Sequence, residues 1–464
     1  MALPSTLGEL RGSEYRMRSV REELRDNLAN ALRSPQNLFS GLVGYEDTVI
    51  PQIENALLAG QDIIFLGERG QAKSRLIRAL TALMDESIPV VAGSEINDHP
   101  YSPISRLARD LVAEHGDSTP IQWVPRARRF AEKLATPDTS IADLIGEVDP
   151  IRVAEGRYLA DEMTIHYGLL PRVNRGIFAI NELPDLAERI QVGLLNVMEE
   201  RDIQIRGFQV RLNLDVIVVA TANPEDYTNR GRIITPLKDR FGAQIRTHYP
   251  RTGEQEALIM EQERASFDGL GVALHVPSYM RELIAEVSQQ ARRTAQVNQR
   301  SGVSVRLSIA NYESLCANAV RRAILLQESE AVPRLSDLAA MTASTAGKLE
   351  LETWEEGEDQ VVLQKLVRTA VGNVFRRHFS VPEFAPLVAR FEQGMSAETG
   401  EMVPASKYEA LGAELTETKR ILADLDEPNR PGSLAAALEF VLEGLHLAKR
   451  LNKTVVDGAT IYNS

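Results

Sequence analysis

Gly67-Glu-Arg-Gly-Gln-Ala-Lys-Ser74 lies between Asp62-Ile-Ile-Phe-Leu66, an apolar run of strand length, and Arg75-Leu-Ile-Arg-Ala-Leu80, whose apolar residues have helical spacing. A loop that leaves a strand and opens a helix aims several backbone N–H groups and the positive helix end at one point. Such a point suits a polyphosphate. The pattern G-x-x-x-x-G-K-[ST] assigns the roles: Lys73 reaches the β- and γ-phosphates, and the Ser74 hydroxyl sits on Mg²⁺. Gly67, Glu68, Arg69, Gly70, Gln71, Ala72, Lys73, Ser74 and Arg75 are therefore the expected nucleotide contacts. Ala72 stands where the pattern has its second glycine. Alanine suits that position only if φ stays negative, so the fit to the pattern is good but imperfect.

A chain of 464 residues has room for two to four domains, each with its own core. Apolar content of 44% and charged content of 25% are ordinary for a globular protein in water. The net charge of −13 argues against a general nucleic-acid or anionic-membrane surface. Cys316 is the single cysteine, which excludes an intramolecular disulfide and a multi-cysteine metal site; it reads as a small buried apolar residue. The seven histidines have no ligand spacing, so a metal held by protein alone is not expected. The start carries no basic-then-apolar signal, and no apolar run approaches the roughly 20 residues that span a bilayer. A cytoplasmic protein without membrane insertion is the expectation.

Upstream of the loop, residues 8–36 are charged and helical in spacing, and Phe39-Ser-Gly-Leu-Val-Gly44 breaks that pattern before a helix from Tyr45 to about Leu58. A turn through Val43 and Gly44 can fold over an adenine, although a plain helix-entry turn explains it equally. Downstream, Ile88–Ala92 reads as a strand, and the proline-punctuated residues 93–140 as irregular. Arg126, Arg128 and Arg129 read as a solvated face, with a partner contact as the sharper alternative.

Gly176-Ile-Phe-Ala-Ile-Asn-Glu182 is an apolar strand ending in two polar residues, which in a parallel sheet point into the ligand crevice. Phosphoryl-transfer sites need a Mg²⁺-side carboxylate and a base there. Glu182 fits the base, and Asn181 stands on the metal side, near Mg²⁺ through water. An amide contributes a dipole where a carboxylate contributes a charge, so weaker Mg²⁺ binding and slow turnover are expected. Residues 203–212 alternate about Gly207 as a β-hairpin, and Val216–Thr221 is a buried-type strand leading to Asn223, which can orient a water near the γ-phosphate. Arg240 lies in the turn Leu237-Lys-Asp-Arg-Phe-Gly242. Helical patterns follow at 253–265, 277–295, 307–327 and 360–450, with Arg306 at the start of the third.

In this order the parts resemble the AAA+ ATPases, and more narrowly the magnesium-chelatase ATPase subunit and its MoxR-like relatives. The likeness rests on Gly41-Leu-Val-Gly44, the phosphate loop, Leu144-Ile-Gly-Glu-Val-Asp149, Gly168–Leu183 and Leu237–Gly242. It implies an α/β fold: a three-layer αβα phosphate-loop core, an α-helical lid and an additional C-terminal helical domain. The corresponding spans are 1–36 (N-terminal helices), 37–250 (core), 251–348 (lid) and 349–464 (extension). The resemblance further implies ATP and Mg²⁺ as ligands. Asn223 would be a sensor, Arg240 an arginine finger reaching a neighbouring subunit's nucleotide, and Arg306 a sensor from the lid. The segment 145–168 would be an insert before a helix, and 203–212 a second projecting hairpin. The family forms hexameric rings and works with a separate partner bearing a von Willebrand A domain. The implied function is ATP-driven remodelling of such a partner; insertion of Mg into a porphyrin and a slowly hydrolysing scaffold are the alternatives.

Overall fold

The computed structural model describes residues 3–34, 38–149, 162–200, 202–204, 211–223, 231–298, 302–350, 358–456 and 458–464. They form two compact units, Met1–His248 and Tyr249–Ser464.

The first unit is built on a five-stranded sheet: β1 (Ile63–Leu66), β2 (Phe130–Leu134), β3 (Gly176–Asn181), β4 (Val216–Ala222) and β5 (Ala243–Arg246), in the order β5-β1-β4-β3-β2. Every pairing is parallel. Parallel strands need crossovers that cover both faces, which is why β1, β3 and β4 are nearly unbroken apolar runs. Alternate residues divide between two cores. Ile64, Phe178, Ile180, Val218 and Ala220 face one side; Ile63, Phe65, Ile177, Ala179, Ile217 and Val219 face the other. The second face is covered by the helices Val20–Leu32, Ile50–Leu58 and Lys73–Ala79 through Leu24, Leu28, Ile53, Leu57, Leu76 and Ile77. The first is covered by Glu188–Glu200 and Thr235–Arg240 through Ile190, Leu194, Val197 and Leu237. Three layers, αβα, result.

Register brings the strand ends level. Leu66 lies opposite Ala222 and Arg246, Ala220 opposite Ile180, and Leu134 opposite Asn181. The C-terminal ends of all five strands therefore open on one edge, where parallel sheets bind ligands.

Three readings of this region change. Residues 93–140 are not irregular: they hold the helix Arg106–His115, the strand Ile121–Pro125 and β2. The strand at 88–92 is real but outside the central sheet; Ser87–Val91 pairs antiparallel with Ile121–Pro125. Arg129 is not solvated. It is fully buried, donates two hydrogen bonds to the Glu23 carboxylate and two to the Arg175 carbonyl, while Arg126 and Arg128 are exposed. Of the two projecting segments, Gly146–Val148 pairs with Ile165–Tyr167, and Asp202–Gln204 with Arg211–Asn213. Residues 150–161, 201 and 205–210 of those segments lie outside the described residues.

The second unit is mainly helical, with Gly253–Glu263, Ser278–Arg293, Val305–Leu326, Glu358–His378 and Pro431–Leu447 as its longer helices. One hydrophobic core runs through it from Met260 to Tyr462, so helices on both sides of residue 348 pack together. A small antiparallel sheet, in the order Ala397–Thr399, Ala459–Asn463, Asn452–Val456, completes it. Cys316 is buried, and burial pushes its thiol up to about 12, as expected of a packing residue. Among the described residues no helix is long and apolar enough to cross a membrane.

Candidate nucleotide site

The phosphate loop leaves β1 at Gly67, whose N–H donates to the Ala222 carbonyl at 3.1 Å, and runs into the helix Lys73–Ala79. A Cβ at Gly67 would overlap the Thr247 hydroxyl and the Gln71 side chain, so glycine is required by close approach. Those two groups brace the loop, with the Thr247 hydroxyl 2.7 Å from Gln71 Oε1. Gly70 has φ of 74°, which glycine takes without penalty. Ala72 does not meet the condition of a negative φ: it sits at φ 54°, ψ 20°. The loop thus keeps the left-handed turn that the missing glycine would have made, at a cost of about 1–2 kcal/mol for the Cβ.

Lys73 is only 7% exposed. Its ammonium lies across the loop, donating to the carbonyls of Gly67 and Glu68. Ser74, the second residue of the helix, is exposed, as are Arg69 and Arg75. Val43 and Gly44 precede Tyr45, whose hydroxyl lies 2.8 Å from the Gln71 carbonyl and 2.9 Å from that of His248. Burial pushes this phenol up, so it remains a donor. The structure therefore brings the Val43–Gly44 turn beside the loop, with Gly44 at φ 83°.

Asn181 and Glu182 stand at the end of β3, and Asn223 just past the end of β4. Thr221 ties them: its hydroxyl accepts from the Glu182 N–H at 3.0 Å and donates to Asn181 Oδ1 at 3.4 Å. Glu182 is left-handed, at φ 56°, ψ 51°. Non-glycine residues held there store about 1–3 kcal/mol and cluster at functional sites. Asn223 is 1% exposed, and its Oδ1 is buried with no hydrogen-bond partner among the described residues. A buried acceptor at a strand end awaits a donor.

Arg240 ends the helix Thr235–Arg240 and pairs with Glu199; both side chains are 42% exposed. Arg306 is the second residue of the helix Val305–Leu326, exposed, its N–H capped by the Ser304 hydroxyl at 3.1 Å. It belongs to the second unit, so the structure does not join it to the loop.

Sequence reasoning missed Thr221, Thr247, Tyr45 and above all Glu132. Glu132, on β2, accepts from Asn181 Nδ2 at 2.5 Å and from Arg78 Nε at 2.8 Å. Thr221 was legible as a polar residue ending an apolar strand. Glu132 lies in no motif.

The donor set fits Mg²⁺, a hard ion that takes oxygen ligands and keeps several waters. Ser74, Asn181, Thr221 and Glu132 all offer oxygen. Among the described residues no group of three His, Cys, Asp or Glu could hold a metal alone. A metal shared with nucleotide phosphates is what such a set accommodates.

Comparison with known proteins bears on the whole arrangement. A model of the sigma-54 interaction domain matches residues 154–241. The magnesium-chelatase subunit ChlI of Guillardia theta is 27% identical over 250 residues, 52% of this chain and 66% of that protein. The magnesium-chelatase 38 kDa subunit of Rhodobacter capsulatus is 27% identical over 258 residues, 53% of this chain and 65% of that protein. The chain thus spans just under two thirds of the length of these relatives. A chain from the cryo-EM-based complex between subunits BchI and BchD of magnesium chelatase aligns with 71% of this chain and 100% of its own, at 21% identity and a TM-score of 0.36. With the phosphate loop, Asn181–Glu182, Asn223 and Arg240 in the order read from the sequence, the chain has its homologues among the magnesium-chelatase ATPase subunits, which are AAA+ ATPases.

Proposed function

We propose that this chain binds and hydrolyses ATP as a subunit of a hexameric ring, and spends the energy remodelling a separate protein partner that carries a von Willebrand A domain. The observation that carries the reading is convergence. Lys73 opens the helix that follows β1, the Asn181–Glu182 pair ends β3 and Asn223 follows β4, three parallel strands whose C-terminal ends share one sheet edge.

Phosphoryl transfer asks a protein for positioning and charge stabilisation more than for covalent chemistry. In this reading the loop N–H groups and the start of the Lys73–Ala79 helix cradle the phosphates, and Lys73 exchanges its loop carbonyls for phosphate oxygens. Glu182 takes the proton of the attacking water, and Asn223 donates its amide N–H groups to orient it. Ser74 and Asn181 hold Mg²⁺, which when bound neutralises charge on the β- and γ-phosphates. Arg240 of one subunit reaches the nucleotide of the next.

Lys73→Ala is the test. It should lower nucleotide affinity by at least about a hundredfold, since it removes the charge-assisted contacts to two phosphates, while the melting temperature changes little. Equal nucleotide binding by both proteins sinks the reading. The match to a sigma-54 interaction domain favours a second choice of partner, a component of the transcription machinery. The names of the relatives favour a third reading, metal insertion into a porphyrin with Mg as cargo. Capture of partners by an ATP-locked Glu182→Gln ring separates the three.

A further inference from the structure

Asn181 is the departure that most threatens the metal side of the site, and its surroundings alter what that departure means. The side chain is not simply an aspartate with its charge removed. Its amide nitrogen points at a carboxylate on the next strand, Glu132 Oε1 at 2.5 Å, while its Oδ1 faces the Thr221 hydroxyl. The orientation is fixed by chemistry. Turned over, the amide oxygen would abut the Glu132 carboxylate, two acceptors with no proton between them. The second Glu132 oxygen accepts from Arg78 Nε at 2.8 Å, and Arg78 lies on the helix that the phosphate loop opens. Glu132 therefore links the strand-end amide to the helix beneath the phosphates.

We propose that Glu132 is the positioning carboxylate of the magnesium–nucleotide site: it holds the Asn181 amide and supplies, one strand over, the negative charge that Asn181 lacks. The inference rests on the nucleotide reading of the loop. Two effects act together. A carboxylate accepting from the amide N–H polarises that amide, so Asn181 Oδ1 becomes a stronger acceptor for a metal-bound water. The charge of Glu132 also lies beside the Asn181 amide, reduced by Arg78, which is 67% exposed and shares it with solvent. Side chains that hydrogen-bond and orient a metal's ligands typically change metal affinity by about tenfold to a hundredfold.

The arrangement reverses the expectation for the obvious repair. Asn181→Asp alone sets a second carboxylate against Glu132, in place of a hydrogen bond. Like charges at that range repel, and the new side chain loses its anchor. The repair works only when the pair is exchanged as a unit.

The experiment is a magnesium titration of the binding of a fluorescent ADP analogue to the full chain, for wild type, E132Q, N181D, the double variant E132Q/N181D and R78A. E132Q should raise the magnesium concentration at half-maximal binding by roughly tenfold. N181D should show no gain over wild type. The double variant, with amide and carboxylate exchanged between strands, should return close to wild type. R78A removes the cation that offsets the Glu132 charge and leaves the Asn181 bond, so it should leave the magnesium midpoint at or below that of wild type. A merely structural pair predicts the reverse, with R78A and E132Q alike. Melting temperatures show which variants fold, and E132A, which also removes the charge, replaces E132Q if that one does not. A magnesium midpoint unchanged in E132Q, or tightened in N181D alone, overturns the inference while leaving the nucleotide reading intact. A wild type that binds no nucleotide, with magnesium or without, overturns both.

Discussion

In the second unit Asp337 accepts from Arg322 Nη2 at 2.9 Å, Arg322 Nε at 3.2 Å, Asn318 Nδ2 at 3.0 Å and the Arg334 N–H at 2.8 Å, and is fully buried. Nearby, Glu439 accepts from Ser336 and Tyr408, and Glu256 takes a bidentate pair from Arg292, both bonds at 2.7 Å, and a third from Ser308. In the first unit the charged and polar groups at the strand ends are held differently. Lys73 lies on loop carbonyls, Asn223 keeps a buried acceptor open, and Glu182 is held left-handed. Both regions bury ionisable groups, so burial alone does not mark a site. Nor does an open polar atom alone mark one, since Tyr279 OH, Asn311 Nδ2 and Arg334 Nε of the second unit are also buried without a hydrogen-bond partner among the described residues; what sets the first unit's groups apart is that they follow separate strands to one edge, with Glu182 held in strain.

The largest effect that tests this contrast belongs to Arg240, a group closed by one exposed partner. A surface pair such as Arg240–Glu199 is worth at most about 1 kcal/mol. An arginine finger contributes roughly 10³–10⁵ in rate. Giving up the first contact therefore costs little against what the second supplies in the transition state. Arg240→Ala should cost turnover by that factor, and mixing it with Glu182→Gln chains should restore part of it, because each chain supplies what its neighbour lacks. A dead mixture of variants that still co-assemble shows that Arg240 serves its own subunit.

Next in size is a closed group. Asp337→Ala takes two hydrogen bonds from the guanidinium of Arg322, which is 1% exposed, and leaves it Glu328 and the Val332 carbonyl. Breaking a buried pair in this way costs about 3–5 kcal/mol. Chemical denaturation should show the second unit unfolding far earlier. A loss under about 1 kcal/mol means that water enters the network, and the contrast between closed and open groups weakens.

How much of this could be read in advance depended on patterning. β1, β3 and β4 announce themselves because both faces are buried and the runs are unbroken. β2 does not: Phe130-Ala-Glu-Lys-Leu134 is half-buried along most of its length and carries two charges, so it looks like loop. Glu132 disappeared with it, since its role depends on a neighbour 49 positions away in the chain. The paired strands Asn452–Val456 and Ala459–Asn463 were likewise missed, the first being exposed throughout, although Asp457-Gly458 between them is a hairpin signal. Arg129 was misread because a single charged residue cannot reveal that Glu23 waits in the core. Local runs are visible in sequence; pairings between distant elements are not.

The smallest predicted effect sets one alanine of each unit against the other. Ala72 is left-handed in the loop, whereas Ala317 is exposed in the interior of the helix Val305–Leu326. Glycine at 72 removes a Cβ penalty of about 1–2 kcal/mol but frees the unfolded chain by about 0.5–1 kcal/mol. The balance is a gain on the order of 0.5 kcal/mol. Glycine at 317 meets only the second effect and should lose about 1 kcal/mol. Urea denaturation of each unit, followed by hydrogen exchange at its own amides, should give opposite signs for the same substitution. If Ala72→Gly also destabilises, residue 72 keeps a negative φ in solution, and the loop holds its phosphates without the left-handed turn. If the signs differ, the loop stores strain that the helix does not, and Ala72→Gly should bind nucleotide no more weakly than wild type.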